Sequence, residues 1–195
     1  MNIIDTHTHL DVEDFIEDLP QVIERAKQAG VNKMFIPSID LNSIPALLHL
    51  QEQYPNILYP MLGLHPEGVT KDFQRVLNLL HAYLEKPHPF IAIGEVGLDF
   101  YWSREFEKEQ LEAFEQQLNW SIDTQLPLMI HCRKAQNEMV KLMKPYASKL
   151  PGGVFHCFAG NEQEAEAFLQ FDNFCLGVGG ILTFKKSILP RVLPN

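Results

Sequence analysis

Short apolar segments alternate along this chain with longer segments of helical periodicity, and this alternation limits the fold more than any other feature. The apolar segments are bounded by Gly, Pro or Asn, which is typical of strands. They are nearly continuous in apolar character, as strands are when both faces of a parallel sheet are covered. The predicted strands are Ile3–Asp5, Lys33–Pro37, Leu58–Gly63, Phe90–Gly94, Leu128–His131, Gly153–His156 and Phe174–Gly177.

The intervening segments predict helices with one apolar face each. Gly30 follows the first of them and is suited to end a helix. Asn161 with Glu164 three residues later predicts a capping box at the start of the last one. The predicted helices are Leu19–Ala29, one after Ser43, one after Asp72, Glu105–Gln125, Gln136–Tyr146 and Asn161–Phe171.

Alternating strands and helices indicate an α/β protein with a parallel sheet. An open doubly wound sheet and a (β/α)8 barrel both fit this order. The first strand is not followed by a Gly-rich phosphate loop, which weighs against the nucleotide-binding form of the open sheet. A complete barrel usually needs about 250 residues, and this chain has 195. We therefore expect residues 1–195 to form one TIM (β/α)8-type barrel domain that lacks its eighth strand.

The charge balance excludes one class of nucleic-acid binder. The sequence has 16 Lys and Arg against 25 Asp and Glu, which gives a formal net charge of -9. A polybasic protein that holds nucleic acid by its own positive field is thereby excluded. An enzyme that acts on phosphate through bound metal ions is not.

Several features of the sequence favour a cytoplasmic protein. No apolar run reaches about 18 residues, so we expect no membrane contact. The N-terminus lacks the basic and long apolar regions of a signal peptide. The 3 cysteines are an odd number and do not indicate a disulfide framework. We interpret Cys132, Cys157 and Cys175 as buried, inert thiols.

Metal-competent side chains recur where predicted strands end. His7 and His9 are two residues apart at the end of the first strand, so on extended backbone both imidazoles face the same way. Glu95, His131 and His156 stand at the ends of the fourth, fifth and sixth strands. Active sites of α/β barrels form at this edge. Imidazoles and carboxylates together are ligands for Zn, Mn or Fe, and the sequence predicts a metal centre there.

Further polar side chains lie near the same edge. His65 follows the third strand, and we assign it a role at the substrate or behind the ligands. Arg133 and Lys134 follow His131, and Arg133 is the stronger candidate for a phosphate contact. Asp99 and Asp5 are candidates for orienting a ligand from behind.

The alternative for each of these side chains is an ordinary loop or surface position. Tyr101 and Trp102 also allow two interpretations. They stack on a base or sugar of the substrate, or they are ordinary surface aromatics.

Six segments, in chain order, resemble the signatures of the TatD family of metal-dependent deoxyribonucleases. They are IIDTHTHLD, GLHP, AIGEVGLDFYW, LPLMIHCRKA, VFHCFAG and GVGGILTFKK. The family is similar to the amidohydrolase superfamily, which has (β/α)8 barrels. The resemblance implies that His7 and His9 hold one divalent ion, that Glu95 bridges two, and that His131 and His156 hold the second. It also places His65 and Arg133 near the substrate phosphate.

The resemblance implies one segment that this sequence does not contain. The family's last signature is an acidic strand end on the eighth strand, whose Asp completes the metal centre. The sequence ends at Val192-Leu193-Pro194-Asn195 without it. We therefore expect a C-terminally truncated barrel with impaired catalysis and with free edges at the first and seventh strands. Such edges would allow two copies to associate across the gap.

The function that these features favour is hydrolysis of DNA phosphodiester bonds, in the family commonly from the 3′ end, by water activated on two divalent ions. Zn, Mn, Mg and Fe all stay open as the metal. DNA is the expected partner, and no obligate protein partner is indicated. Two alternatives remain: an amidohydrolase acting on a small ester or amide, and a remnant that binds metal or DNA without cleaving it.

Overall fold

The computed structural model describes residues 2–15 and 17–193. Pro194 and Asn195, the last two residues of the C-terminal segment discussed above, lie outside the described residues. Within these ranges seven strands form two parallel sheets, one in the order β1-β2-β3 and one in the order β4-β5-β6-β7. The strands are β1 (Ile3–Asp5), β2 (Val31–Pro37), β3 (Leu58–Met61), β4 (Ile93–Asp99), β5 (Leu128–Arg133), β6 (Gly153–Phe155) and β7 (Phe174–Leu176).

The two sheets adjoin each other between β3 and β4. A parallel bridge pairs Leu62 with Ile93, and the Gly94 amide donates to the Leu62 carbonyl at 2.8 Å. All seven strands therefore follow one another in chain order, with parallel neighbours throughout, as in a barrel wall. In the part of the chain that the structure describes, β7 and β1 are not paired, and the wall is open there.

Each of the first six strands is followed by a helix that returns the chain to the start of the next strand, and a seventh helix follows β7. The predicted capping box is confirmed: Asn161 accepts from the Glu164 amide, and the Glu164 carboxylate accepts from the Asn161 amide. The helices are α1 (Leu19–Gln28), α2 (Ile44–Gln53), α3 (Phe73–Leu84), α4 (Glu107–Thr124), α5 (Gln136–Met143), α6 (Glu162–Phe168) and α7 (Leu189–Val192). No helix in residues 2–15 or 17–193 combines the length and the apolar character needed to cross a membrane.

The fourth strand lies further along the chain than its apolar pattern predicts. It spans Ile93–Asp99 and is buried throughout, so Glu95 lies inside the strand and not at its end. The strand continues because Gly97 permits close approach to β5. Its φ is 141°, and a Cβ there would lie 2.0 Å from the His131 carbonyl oxygen. An apolar pattern could not reveal a buried strand that contains two glycines and two carboxylates.

The prediction of three buried cysteines is wrong for two of them. Cys157 and Cys175 are exposed, while Cys132 is partly buried and its thiol has its pKa raised to about 12 by burial. Cys175 lies on β7, the last strand of its sheet, so it is not covered on both sides. Cys157 follows the end of β6 and has a φ of 48°, so it does not have the extended backbone on which side chains alternate between the two faces of a sheet.

The core beneath β6 and β7 is aromatic. The Phe155 ring is buried and stacks on Phe168 with centroids 4.1 Å apart and an interplanar angle of 7°. Phe171 and Phe174 contact the same ring from two other directions, at 6.4 and 5.3 Å. This cluster fixes the end of β6, where His156 follows directly.

We expect Phe155→Ala to lower the free energy of unfolding by about 3–5 kcal/mol, because it leaves a cavity among three rings that cannot all collapse into it. Chemical denaturation followed by circular dichroism measures this. Phe184→Ala is the matched control, since Phe184 is 65% exposed and its loss should change stability by under about 0.5 kcal/mol. Equal losses in the two variants would contradict this account of the core.

Candidate metal centre

The Glu95 carboxylate is the centre of the histidine cluster. It comes from the middle of β4, and the residue is only 3% exposed. A carboxylate so deeply buried is costly unless it is paired. Imidazoles from the ends of β1, β3, β5 and β6 surround it, so strands from both sheets meet at one carboxyl group.

One oxygen of Glu95 faces the pair of histidines that follow β1. Nε2 of His7 lies 3.1 Å from Oε2 of Glu95, and Nε2 of His9 lies 3.4 Å from the same oxygen. The two Nε2 atoms are 3.1 Å apart. The i, i+2 spacing does bring both imidazoles to one point, as the sequence predicts.

The other oxygen, Oε1, faces three histidines from the remaining strand ends. It lies 3.0 Å from Nδ1 of His131, 2.5 Å from Nε2 of His156 and 3.4 Å from Nε2 of His65. His156 Nε2 is also 3.3 Å from His131 Nδ1. His65, for which the sequence predicts a role at the substrate or behind the ligands, lies at the same distance from the carboxylate as the candidate ligand His9, 3.4 Å.

The spacing of these donor atoms fits divalent ions. Around an ion with bonds of about 2.1 Å, neighbouring donor atoms lie about 3.0 Å apart in octahedral geometry and about 3.4 Å apart in tetrahedral geometry. The separations among His7, His9 and Oε2 are 3.1 to 3.4 Å. Two imidazole nitrogens at 3.1 Å repel each other as bare lone pairs, so a cation or a proton between them is required. Among the described residues, the donor atoms of His7, His9 and Glu95 converge within 4.8 Å, and so do those of His65, Glu95 and His131.

Asp99 orients His131 from behind. Its Oδ2 lies 2.8 Å from Nε2 of His131, and this contact turns Nδ1 of the same ring toward Glu95, 3.0 Å from Oε1. The carboxylate is buried, and its Oδ1 accepts from the Tyr101 amide at 2.9 Å. The sequence left the role of Asp99 open, and the structure places it behind a candidate ligand. Asp5 is different: it accepts from the His7 amide and orients backbone.

Two buried amides of α4 hold the strand ends in place, and sequence reasoning missed both. Gln110 accepts from the Asp99 amide at 2.9 Å and donates to its carbonyl at 3.2 Å. Gln117 bonds the Leu64 backbone in the same two-point manner, at 2.7 and 3.3 Å. They are spaced seven residues apart on the apolar face of α4. Two polar residues on an otherwise apolar helix face are the sequence signal that could have identified them.

Arg133 and Lys134 lie beside the cluster and not within it. They line a cavity of about 380 Å³ together with His156 and Tyr101. Arg133 is the last residue of β5, and α5 begins three residues later, so Arg133 does not lie at the start of that helix. The guanidinium instead lies over an aromatic ring.

The protonation of the cluster follows from one ionised carboxylate. Burial raises the pKa of Glu95, but contacts with His131, His156, His65 and His7 outweigh burial and hold it well below its ordinary value. The pKa of His9 is raised, chiefly by its hydrogen bond to Glu95. Burial lowers the pKa of His131, yet Glu95 and Asp99 outweigh it and the net shift is upward. For His156, burial prevails and its pKa is lowered.

An α/β barrel wall whose strand ends bring imidazoles around a buried carboxylate is typical of the class of metal-dependent hydrolases. The chain belongs to the family of TatD-related DNases, whose family model matches residues 4–193. The resemblance drawn from the six sequence segments is thereby confirmed.

Relatives support the same assignment. The chain is 33% identical over 195 residues to a protein of Edwardsiella piscicida named 3'-5' ssDNA/RNA exonuclease TatD, covering 99% of this chain and 74% of that protein. It is 35% identical over 191 residues to YjjV of Escherichia coli K12, named as an uncharacterised metal-dependent hydrolase, covering 96% of this chain and 72% of YjjV. The crystal structure of YjjV, described as a TatD homologue, superposes with a TM-score of 0.85 at 33% identity, covering 97% of this chain and 72% of that one.

A more distant structure bears on the fold alone. An uncharacterised TIM-barrel protein of Bordetella bronchiseptica matches with a TM-score of 0.61 at 11% identity, covering 90% of this chain and 74% of that one. The barrel expectation is therefore confirmed over the doubly wound sheet, although the wall described here is not closed.

We expect Asp99→Ala to weaken divalent metal binding about 10- to 100-fold, because His131 loses the acceptor that fixes its orientation. Calorimetric titration with Zn²⁺ or Mn²⁺ measures the affinity. Asp99→Asn keeps an acceptor oxygen and should lose less. Asp72→Ala removes an exposed carboxylate paired with Arg75 and should leave the affinity unchanged. An unaltered affinity in folded Asp99→Ala would refute this role.

Stabilisation by added metal should grow with pH. In the metal-free protein, the raised pKa values of His9 and His131 stabilise the fold at low pH, and this stability is lost as the pH rises through them. Metal binds only the neutral imidazoles. We therefore expect a larger rise in Tm on adding Zn²⁺ at about pH 8 than at about pH 6, on either side of the ordinary histidine pKa. Calorimetry checks this, and an equal rise at both pH values would contradict it.

Proposed function

We propose that this protein hydrolyses phosphodiester bonds of single-stranded nucleic acid, DNA in particular, with two divalent ions shared by Glu95. The observation that carries the proposal is that the two oxygens of Glu95 face separate sets of imidazoles. In this assignment His7 and His9 hold one ion, and His131 and His156 hold the other. Zn, Mn, Fe and Mg are all compatible with this mixed donor set.

Ions bound there would supply a water of lowered pKa and positive charge beside the phosphate oxygens. The chain's own residues do the rest. Glu95 stays ionised, so its two oxygens keep the imidazole sets at a fixed separation. Asp99 lies against Nε2 of His131 and so directs Nδ1 of that ring toward Glu95. The local positive charge offsets a protein whose net charge is -9.

His65 and Arg133 are proposed to contact the substrate phosphate. The Nδ1 of His65 accepts from the Glu67 amide at 3.2 Å, so the hydrogen of this imidazole resides on Nε2 and points into the cluster. From there it can donate to a phosphate oxygen. Among the described residues, the Arg133 guanidinium contacts the Tyr101 and Trp102 rings and pairs with no carboxylate, so its donors are free for an anion.

The scope of this function follows from the same observations. We propose that the strands and helices act as one hydrolase domain, because β1 to β7 all supply residues to one apolar core or to the wall around it. The substrate is the only partner the site requires, and a cytoplasmic location suits a nuclease of this kind.

The test is hydrolysis of a 3′-labelled single-stranded oligonucleotide by the purified chain, with Mg²⁺, Mn²⁺ or Zn²⁺ added after EDTA treatment. We expect metal-dependent release of mononucleotides. Glu95→Gln should lower the rate by at least about 100-fold and reduce bound metal measured by mass spectrometry, since it removes the shared anion. Glu85→Gln is the matched control. Glu85 also contacts a histidine, His81, but this pair lies at the end of α3 and not in the histidine cluster.

Other outcomes separate the alternatives. Hydrolysis of small esters or amides without release of nucleotides would favour an amidohydrolase. Bound metal without hydrolysis of any substrate would favour an impaired remnant. Either result overturns the proposal for this chain.

A further inference from the structure

We infer that Tyr101, Trp102 and Arg133 form a stacking site for a nucleobase of the substrate, beside the metal centre. This inference rests on the proposed function and specifies how the substrate is recognised. Three observations carry it: the geometry of the rings, the free guanidinium and the anchoring of the loop to Asp99.

The three side chains lie against one another, and we call them the platform. The Arg133 guanidinium lies 3.8 Å from the Tyr101 ring centroid and 5.3 Å from that of Trp102. The two rings meet edge to face at 4.7 Å. Arginine planes and aromatic faces are the surfaces on which unpaired bases stack in single-stranded complexes.

Both aromatic side chains of the platform are exposed to solvent. Trp102 is 71% exposed and Tyr101 is 49% exposed. In the described part of the chain, no other two consecutive residues are both exposed aromatics. The Arg133 side chain has no hydrogen bond or ion pair with any described residue, and it contacts the rings of Tyr101 and Trp102. A cation held on rings with its donors free suits a ligand that is both flat and anionic, which describes a nucleotide.

The platform is fixed to the metal centre. Oδ1 of Asp99 accepts from the Tyr101 amide, while Oδ2 of the same carboxylate lies against His131. The register of β4 and β5 pairs Asp99 with Arg133 and Gly97 with His131. The cavity that Tyr101 and Arg133 line also has His156 on its wall. A base on this platform would therefore belong to a nucleotide whose phosphate reaches the cluster.

The two tryptophans of the chain allow a direct binding test. Trp120 is buried, so Trp120→Phe leaves Trp102 as the single fluorescent tryptophan. In EDTA, so that nothing is hydrolysed, we expect saturable quenching of Trp102 by a deoxyadenosine trinucleotide and none by an abasic trinucleotide at the same concentration. No quenching, or equal quenching by both probes, would overturn the inference.

Kinetics test the same site in the metal-loaded protein. We expect Trp102→Ala to raise KM for the deoxyadenosine trinucleotide roughly tenfold or more, the range found for base-stacking aromatics, with kcat little changed. KM for the abasic trinucleotide should not change. Tyr59→Ala is the control variant and should leave KM unchanged, because Tyr59 also lies under a cation, Lys33, but on β3. An unchanged KM in Trp102→Ala would overturn the inference.

The two tests keep this inference separate from the proposed function. If the protein hydrolyses neither trinucleotide but Trp102 is quenched by the one with bases, the proposed function fails and the stacking site stands. If both trinucleotides are cleaved alike by the parent protein and by Trp102→Ala, the function stands and the stacking site fails.

Discussion

The structure depends on keeping one ionised carboxylate, Glu95, inside the barrel wall. Its burial alone would favour the neutral acid, and the contacts with surrounding histidines reverse that preference. Those histidines come from strand ends in both sheets, so the charge can be kept only when the strands are assembled around it. Fold and site are therefore linked, because removing either the carboxylate or the imidazoles leaves buried charge without a partner.

Much of this could be predicted from the sequence because the chemistry lies where strands end. His7, His9, His131 and His156 follow apolar segments directly, and parallel strands bring such positions to one edge. Glu95 was found by the same reasoning, although it lies inside β4. Its strand was misplaced because glycine and carboxylates interrupt the apolar pattern, while backbone pairing with β5 continues through them.

What the sequence could not predict are contacts that join distant segments. Gln110 and Gln117 occupy the apolar face of α4, and nothing local shows that each binds the backbone of a strand end. The exposure of Cys157 and Cys175 has a similar cause, since it depends on which strand lies at the edge of the sheet. Burial at such positions is set by tertiary neighbours, and the alternation of residue types along a strand does not encode them.

Asp99 connects the two parts of the site that a nucleotide would use. One of its oxygens orients the ring of His131, and the other accepts from the backbone amide of Tyr101. Gln110 holds the main chain of Asp99 itself at two points. Neither the ligand nor the aromatic loop can then shift without breaking a buried hydrogen bond, which costs about 1–3 kcal/mol. The distance between a base stacked on the platform and the proposed metal centre would thus be set by a rigid strand end, and a single buried carboxylate would couple the place where the substrate binds to the place where it is cleaved.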